Sequence, residues 1–269
     1  MSLILVAVTI SLYLLTTAWL GYRLFGLNLA GGMHKLHLLP GCGIALILHA
    51  VAIYQNIIAP DGFNLGFYNA FSLMSWAVVL LVCITVIFKP VENLALFFLP
   101  VAALSLGLAQ MFPVTRIISD SYALGLQLHI LLSVTAFSLF VMAALQAIVL
   151  SIQEKQLRNK HPVRIMQILP PLQIMEELLV QLVAIGSFLL SLSLATGLMF
   201  VHDLFAQHLV HKTVLSIFGW LIFAILLWGR WTRGWRGKIL VRWTLGGFIS
   251  LLLAYFGTKF VLELILKRV

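Results

Sequence analysis

Apolar residues run continuously through most of this chain and are interrupted only by short polar segments. The runs predict transmembrane helices, because a helix needs about 20 apolar residues to cross the hydrocarbon core of a bilayer. They do not alternate in the way that the strands of a membrane β-barrel do. The eight predicted spans are residues 2–22, 40–58, 67–88, 93–112, 123–150, 173–200, 212–229 and 243–265.

The composition supports lipid as the solvent of the fold. Of the 269 residues, 62% are hydrophobic and 9% are charged, whereas soluble domains carry about 25% charged residues. So few polar side chains cannot cover a water-soluble surface. The predicted fold class is therefore all-α, a polytopic transmembrane helix bundle. It forms one integral membrane domain over residues 1–269, with the lipid bilayer as its first partner.

The basic residues predict how this bundle is oriented. They concentrate in four alternate gaps between spans, and short loops rich in Lys and Arg stay on the cytoplasmic side. An even number of spans then puts both termini outside. Basic residues in cytoplasmic loops set the topology and attract anionic headgroups, which accounts for the net charge of +9. No nucleic-acid partner is therefore predicted. The basic residues of these gaps are Arg23, Lys35, Lys89, Lys155, Arg158, Lys160, Arg164, Arg230, Arg233, Arg236, Lys238 and Arg242.

Helix-breaking and acidic residues mark the ends of spans. Pro40 and Gly41 are predicted to open the second span. Glu176 and Glu177 stand near the start of the sixth, where acidic side chains suit the positive end of the helix dipole. This pair is predicted to cap that helix and to pair with basic residues of the preceding loop.

Motifs for enzymatic chemistry are missing from the sequence. It contains no phosphate-binding glycine loop, His-Glu-x-x-His, Cys-x-x-Cys or Gly-x-Ser-x-Gly pattern. Carboxylates are nearly absent from span interiors, where pumps and ion-coupled carriers usually keep them. The predicted protein is not an enzyme, and Cys42 and Cys83 are predicted to be packing residues.

Histidine is the residue type left to carry chemistry. His129 lies near the outer end of the fifth span, and His202, His208 and His211 lie in the outer loop before the seventh. Neutral imidazole ligates haem iron, zinc and copper, so two ligands from different helices could hold a haem. The alternative is that each imidazole only hydrogen-bonds a carbonyl or a headgroup. Asp203 beside His202 could orient an imidazole, or could be a solvated acid or a helix cap.

His49 differs from the others because it lies halfway along the second span. An ionisable group at that depth indicates function by default. An internal haem ligand, a proton-relay group and a hydrogen bond between helices are the three interpretations.

Several of these segments resemble the cytochrome c assembly family of haem-handling membrane proteins. The resemblance is clearest over about residues 120–260, while the first half matches mainly in its pattern of spans. Within the family, the chain is most similar to small inner-membrane members. The matching residues are His129, Ser133, Ala136, Phe137, Phe140, Ala143, Ala144, Gln146, Ala147, Thr196-Gly197, Lys212-Thr213, Trp220, Trp228-Gly229-Arg230, Gly234-Trp235-Arg236-Gly237-Lys238, Gly247-Phe248 and Tyr255-Phe256-Gly257.

The resemblance implies a multi-pass protein of the bacterial inner membrane that binds or handles haem near the outer face. Its partners would be other cytochrome c maturation components. His129 matches the first outer haem-ligand histidine of the family. We expect haem as the cofactor, with its iron held by His129 and His211. His208 is an alternative second ligand, and His49 is an internal candidate.

Two departures from the family pattern keep other functions open. The tryptophan-rich stretch that ends in Trp-Asp-Pro-Lys-Glu is replaced by residues 207–213, in which Lys212 and Thr213 alone match. The second outer histidine corresponds to Trp228, which cannot ligate iron. The alternatives are a haem-free scaffold or regulatory subunit for a partner transporter, and a small-molecule carrier with a cavity around His49.

Overall fold

Eight helices long and apolar enough to cross a membrane are present in the part of the chain that the structure describes. This structure is a computed structural model, which describes residues 3–25, 34–60, 62–89, 91–112, 117–118, 124–159, 169–200 and 207–257. The helices are α1 (Leu3–Phe25), α2 (His34–Ile57), α3 (Phe67–Phe88), α4 (Glu92–Met111), α5 (Leu124–Arg158), α6 (Leu172–Phe200), α7 (Gln207–Arg233) and α8 (Lys238–Leu252). A π-helical turn, Leu253–Gly257, extends α8.

The all-α fold class and the eight spans are confirmed. The structure adds three short strands that the apolar runs did not predict: β1 (Ile58–Ala59), β2 (Gly62–Asn64) and β3 (Ile117–Ile118). They pair antiparallel in the order β1-β2-β3. Strands of two or three residues bury too little side chain to leave a pattern in the sequence.

Several helices extend past the predicted spans into polar sequence. The helix α5 continues to Arg158 and α7 continues to Arg233, since neither polar extension contains a proline or a glycine that would end a helix. The helix α2 begins at His34 with Pro40 inside it, whereas the membrane span within α2 begins at Leu38, close to the predicted start at Pro40. Hydropathy reports where lipid ends, whereas a helix ends where its backbone hydrogen bonds stop.

The helices form two compact units. The first contains α1 to α4 with the three strands, and the second contains α5 to α8 with the π-helical turn. In each unit every helix packs against the helices before and after it, and the last helix packs against the first. Each unit is therefore a four-helix bundle in sequential order, the arrangement that short connections favour. The prediction of one membrane domain over the whole chain stays a prediction.

Two stacked phenylalanine rings lie in the core of the second unit, and each ring faces a glycine on a neighbouring helix. The fully buried rings of Phe140 on α5 and Phe223 on α7 stack with centroids 4.0 Å apart. A Cβ atom at Gly186 of α6 would lie 3.1 Å from the Phe140 ring, and one at Gly247 of α8 would lie 2.7 Å from the Phe223 ring. Small residues let helix backbones approach closely in membrane bundles. This stack thus joins all four helices of the unit.

The outward surfaces of the helices are apolar. Large side chains such as Leu15, Ile47, Phe188 and Trp231 are each more than 60% exposed. A water-soluble protein would bury side chains of this kind, so their exposure supports a bilayer as the surrounding solvent.

The connection from α7 to α8 is a tight turn at the basic end of the second unit. Gly234 and Gly237 have φ angles of +63° and +54°, which residues with a Cβ rarely adopt. The buried Glu176 carboxylate of α6 accepts a 2.8 Å hydrogen bond from the Gly237 N–H at the start of α8. We predicted that Glu176 caps its own helix, but it is the fifth residue of α6 and lies past the first turn. Its carboxylate instead binds the backbone N–H of Gly237, the residue that precedes α8.

Candidate functional site

His129 lies in the second turn of α5, and its partly buried imidazole is directed at the neighbouring helix α6. The Nδ1 atom is 2.8 Å from the backbone carbonyl oxygen of Ser193. A carbonyl can only accept a hydrogen bond, so Nδ1 carries the proton and Nε2 keeps its lone pair. A histidine oriented in this way presents a defined nitrogen to a metal.

Gly197 of α6 leaves room for the imidazole of His129 to lie against the backbone of that helix. A Cβ atom at Gly197 would lie 3.0 Å from Cε1 and 3.2 Å from Nδ1 of His129, so a larger residue would push the ring away. The Thr196 hydroxyl lies 3.4 Å from Nδ1, on the same side of the ring. The Thr196-Gly197 pair, which belongs to the family resemblance, therefore has a local physical role in seating His129.

Four polar or charged side chains belong to the same end of the unit as this imidazole. The buried hydroxyls of Ser133 and Ser193 are 2.6 Å apart, and the Ser133 hydroxyl is 3.4 Å from Nε2 of His129. The Lys212 ammonium lies 4.8 Å from the centroid of the Tyr255 ring. We name these five residues the His129 cluster. They come from α5, α6, α7 and the π-helical turn.

The cluster lies at one end of the second unit, and the basic residues in the last turns of α5 and α7 lie at the other. On α7, Lys212 is in the second turn, whereas Arg230 and Arg233 are in the last. Glu154 near the end of α5, Glu176 of α6 and the α7–α8 turn meet at that basic end. The two basic gaps of this unit thus share one end, as the positive-inside pattern requires. With the basic end cytoplasmic, the His129 cluster is predicted to face outward.

The other outer histidines are not brought into the cluster by any described contact. His211 lies beside Lys212 on α7, and its side chain is exposed. The side chain of His208 lies outside the described residues, as do His202 and Asp203. No group of three or more His, Cys, Asp or Glu side chains that could hold a metal occurs among the described residues. His211 and His208 remain predictions as iron ligands.

His49 lies in the first unit and is fully buried. Its Nδ1 atom is 3.1 Å from the Tyr13 hydroxyl of α1, and its Nε2 atom is 2.9 Å from the Ser72 hydroxyl of α3. With both ring nitrogens engaged, the geometry favours the hydrogen bond between helices over the haem-ligand and proton-relay interpretations.

Trp228 stands at the position that corresponds to the second outer histidine of the family pattern. Trp228 is 68% exposed on α7, near its basic end, and belongs to the half of the helix opposite the His129 cluster. Interfacial tryptophans of this kind anchor helices at the headgroup level. This placement accounts for tryptophan where the family pattern has histidine.

The residues present fit one axial ligand of a haem. The Nδ1–H of His129 is bound to a backbone carbonyl, while Nε2 has only a long contact of 3.4 Å with the Ser133 hydroxyl. An iron atom would replace a weak hydrogen bond at Nε2 and leave the orienting bond in place.

Sequence reasoning singled out His129 but missed the side chains around it as members of a site. Ser133, Lys212 and Tyr255 were noted only as parts of the family resemblance, and Ser193 was not noted. Ser133 follows His129 by four residues and so shares its helix face, which was a usable signal. Nothing in the sequence near Lys212 or Tyr255 indicated that these residues lie close to each other in the fold.

Comparison with known proteins identifies the family of this chain. The cytochrome c assembly protein family matches residues 42–266. The inner membrane protein YpjD of Escherichia coli strain K12 is 35% identical over 242 residues, which covers 87% of this chain and 89% of that protein. The same protein in Escherichia coli O157:H7 matches to the same extent.

A further relative is an uncharacterized 28.8 kDa protein of Azospirillum brasilense. It is 31% identical over 161 residues, or 59% of each chain. The predicted resemblance and the inner-membrane localisation are confirmed by these matches together with the eight membrane-length helices. This chain is a multi-pass inner-membrane protein that belongs to the cytochrome c assembly protein family.

Proposed function

We propose that this protein binds haem at the His129 cluster, with Nε2 of His129 as an axial ligand of the iron. The observation that carries the proposal is the 2.8 Å hydrogen bond from Nδ1–H of His129 to the Ser193 carbonyl. This bond fixes the tautomer and the direction of the ring. Haem would supply the iron and the porphyrin, and the chain supplies an oriented ligand beside the polar side chains of Ser133 and Ser193.

Membership of the family supports a place for this activity in cytochrome c assembly. Haem held near the outer face would be passed to an apocytochrome, with other maturation components as partners. Binding and release are the steps that this role needs, and neither requires a nucleophile or a general acid. We therefore infer a haem-handling protein that does not turn over a substrate.

The test is a haemin titration of the protein purified in detergent or nanodiscs. The wild type is expected to bind haemin stoichiometrically with a Soret band shifted from that of free haemin, and His129→Ala is expected to lose that shift. His211→Ala tests the second ligand, because loss of a sixth ligand converts a low-spin spectrum to a high-spin one. A His129→Ala protein with wild-type affinity and spectrum would contradict the proposal.

The departures from the family pattern give the second candidate, a haem-free scaffold or regulatory subunit. It predicts that neither the wild type nor any variant develops a shifted Soret band. It also predicts that a stoichiometric membrane partner co-purifies from cells depleted of haem.

A further inference from the structure

A groove of about 380 Å³ lies along α1 in the first unit. The described residues that line it are Leu15, Thr16, Trp19 and Arg23, and none of them belongs to the His129 cluster. Three of these residues follow one another at intervals of four, so they form a stripe along one face of the helix. The volume falls within the range of about 300–1,000 Å³ that small-molecule sites occupy.

The stripe changes from apolar to charged along the helix axis. Leu15 is 67% exposed, and Arg23 lies in the last turn of α1, about 12 Å further along the helix. The membrane span that contains both residues ends at Leu24. Arg23 therefore lies where the span meets the headgroup region, and Leu15 lies within the hydrocarbon region. A phospholipid has the same order of chemistry, with a phosphate at the surface and acyl chains below it.

Thr16 places the deeper part of the groove beside the crossing of α1 and α2. A Cβ atom at Gly41 of α2 would lie 3.1 Å from the Thr16 hydroxyl oxygen, so the two helices approach closely at this point. The Thr16 hydroxyl donates a 2.7 Å hydrogen bond to the Leu12 carbonyl oxygen of its own helix. Because its proton is used within the helix, Thr16 needs no polar partner from a ligand, and an acyl chain can lie against it.

The guanidinium of Arg23 is positioned by an aromatic ring at the shallow end of the groove. Its Cζ atom lies 5.4 Å from the centroid of the Trp19 ring, which is a cation–π contact between successive turns of α1. Among the described residues, no carboxylate forms an ion pair with Arg23 and no acidic side chain lines the groove. A guanidinium presents N–H donors in a fork that matches the oxygens of a phosphate. The groove therefore combines an apolar surface with one oriented positive charge.

We propose that this groove binds an anionic phospholipid, with the lipid phosphate on Arg23 and an acyl chain along Leu15. Basic pockets at transmembrane helices bind anionic headgroups on the cytoplasmic side of membranes, and the gap after α1 is predicted to be cytoplasmic. Phosphatidylglycerol is favoured over phosphatidylethanolamine, because the ammonium of the latter is repelled by the guanidinium. This binding site belongs to the first unit and goes beyond the proposed function.

The experiment counts bound lipids by native mass spectrometry. The full-length protein is delipidated in detergent and titrated with phosphatidylglycerol or with phosphatidylethanolamine of the same acyl chains. The wild type is expected to bind phosphatidylglycerol more tightly. Arg23→Gln should weaken the binding of phosphatidylglycerol by about fivefold, the contribution of one basic residue near an anionic lipid surface. Its affinity for phosphatidylethanolamine should change little, and Arg23→Lys should keep most of the preference for phosphatidylglycerol.

Arg233→Gln is the matched control for the loss of a charge. Arg233 is also in the last turn of its helix and is exposed, but it does not line the groove, so the preference for phosphatidylglycerol should be unchanged. Leu15→Ala removes apolar contact and should weaken the binding of both lipids by the same factor. Each variant is first compared with the wild type in thermal stability, so that a folding defect is not read as a loss of selectivity.

Three results would overturn the inference. One is an Arg23→Gln protein that binds phosphatidylglycerol as tightly as the wild type does. Another is an equal effect of Arg233→Gln, which would indicate a general attraction of basic residues for anionic lipid. The third is a protein dimer that replaces the lipid adduct and is lost in Arg23→Gln, which would assign the groove to a second copy of this chain. Haemin binding is measured separately, so these results leave the proposed function intact.

Discussion

At the scale of single residues, the two histidines inside the helices differ in what their nitrogens do. Both nitrogens of His49 are engaged by hydroxyls within 3.1 Å. At His129 one nitrogen is fixed by a carbonyl, while the other has only a contact of 3.4 Å. A ligand needs an accessible lone pair. The environment of each imidazole therefore favours a packing role for His49 and fits the binding role proposed for His129.

The hydrogen bonds of His49 predict the effect of its replacement. His49→Leu keeps the volume but leaves the hydroxyls of Tyr13 and Ser72 without this partner, so we expect a destabilisation of about 1–2 kcal/mol. The loss appears as a lower thermal midpoint in a size-exclusion assay. Adding Tyr13→Phe should recover part of it. The haemin spectrum should not change, and a lost Soret shift in His49→Leu would instead make His49 an iron ligand.

At the scale of helices, glycines decide which elements come close. Many family-like residues of the second unit contribute to its packing. Gly247 accommodates the Phe223 ring, and Gly229 accommodates the Trp235 indole, which would lie 2.5 Å from a Cβ atom there. The Trp220 N–H donates a 2.8 Å hydrogen bond to the Ser191 hydroxyl. The family pattern is therefore in large part a pattern of helix packing that supports the His129 cluster.

Gly247 and Gly246 form a matched pair for testing the packing of α8. Gly247→Ala puts a methyl group 2.7 Å from a fully buried ring, and overpacking of this kind costs about 1–3 kcal/mol. Gly246→Ala adds a methyl group with no atom within 4 Å, so we expect a change of less than about 0.5 kcal/mol. The thermal midpoint of Gly247→Ala should fall by several degrees. Equal midpoints for the two variants would contradict the observed packing of α8 on α7.

At the scale of the whole molecule, the distribution of charge predicts the orientation in the membrane. The basic ends of α5 and α7 lie on the same side of the second unit, and the His129 cluster lies at its other end. The positive-inside rule then predicts that the cluster lies at the outer face. An outward site suits a ligand delivered to a protein outside the cytoplasm.

Reporter fusions test this topology. Alkaline phosphatase fused after Arg158 or Arg233 should be inactive, because both positions are predicted to be cytoplasmic, and a green fluorescent protein there should fluoresce. Alkaline phosphatase fused after Phe112 should be active. The reverse pattern of activities would put the His129 cluster on the cytoplasmic side and exclude an outer haem site.

The sequence alone determined the fold class and the eight spans, and it singled out His129 as the leading candidate ligand. Spans can be read from sequence because each helix satisfies its own backbone hydrogen bonds and must be apolar over its length. His129 could be found because its segment resembles one family over many consecutive residues. The orientation in the membrane is likewise predicted from the sequence, since it depends on the charges of short loops.

Tertiary structure alone decided what each polar side chain contacts. His129 meets Ser193, which follows it by 64 residues, and Glu176 meets Gly237, which follows it by 61. Such contacts depend on the rotation and register of packed helices. In a membrane bundle the lipid-facing and buried faces are both apolar, so hydropathy does not reveal which face of a helix meets its neighbour. The composition of the His129 cluster therefore emerged only once the four helices were packed.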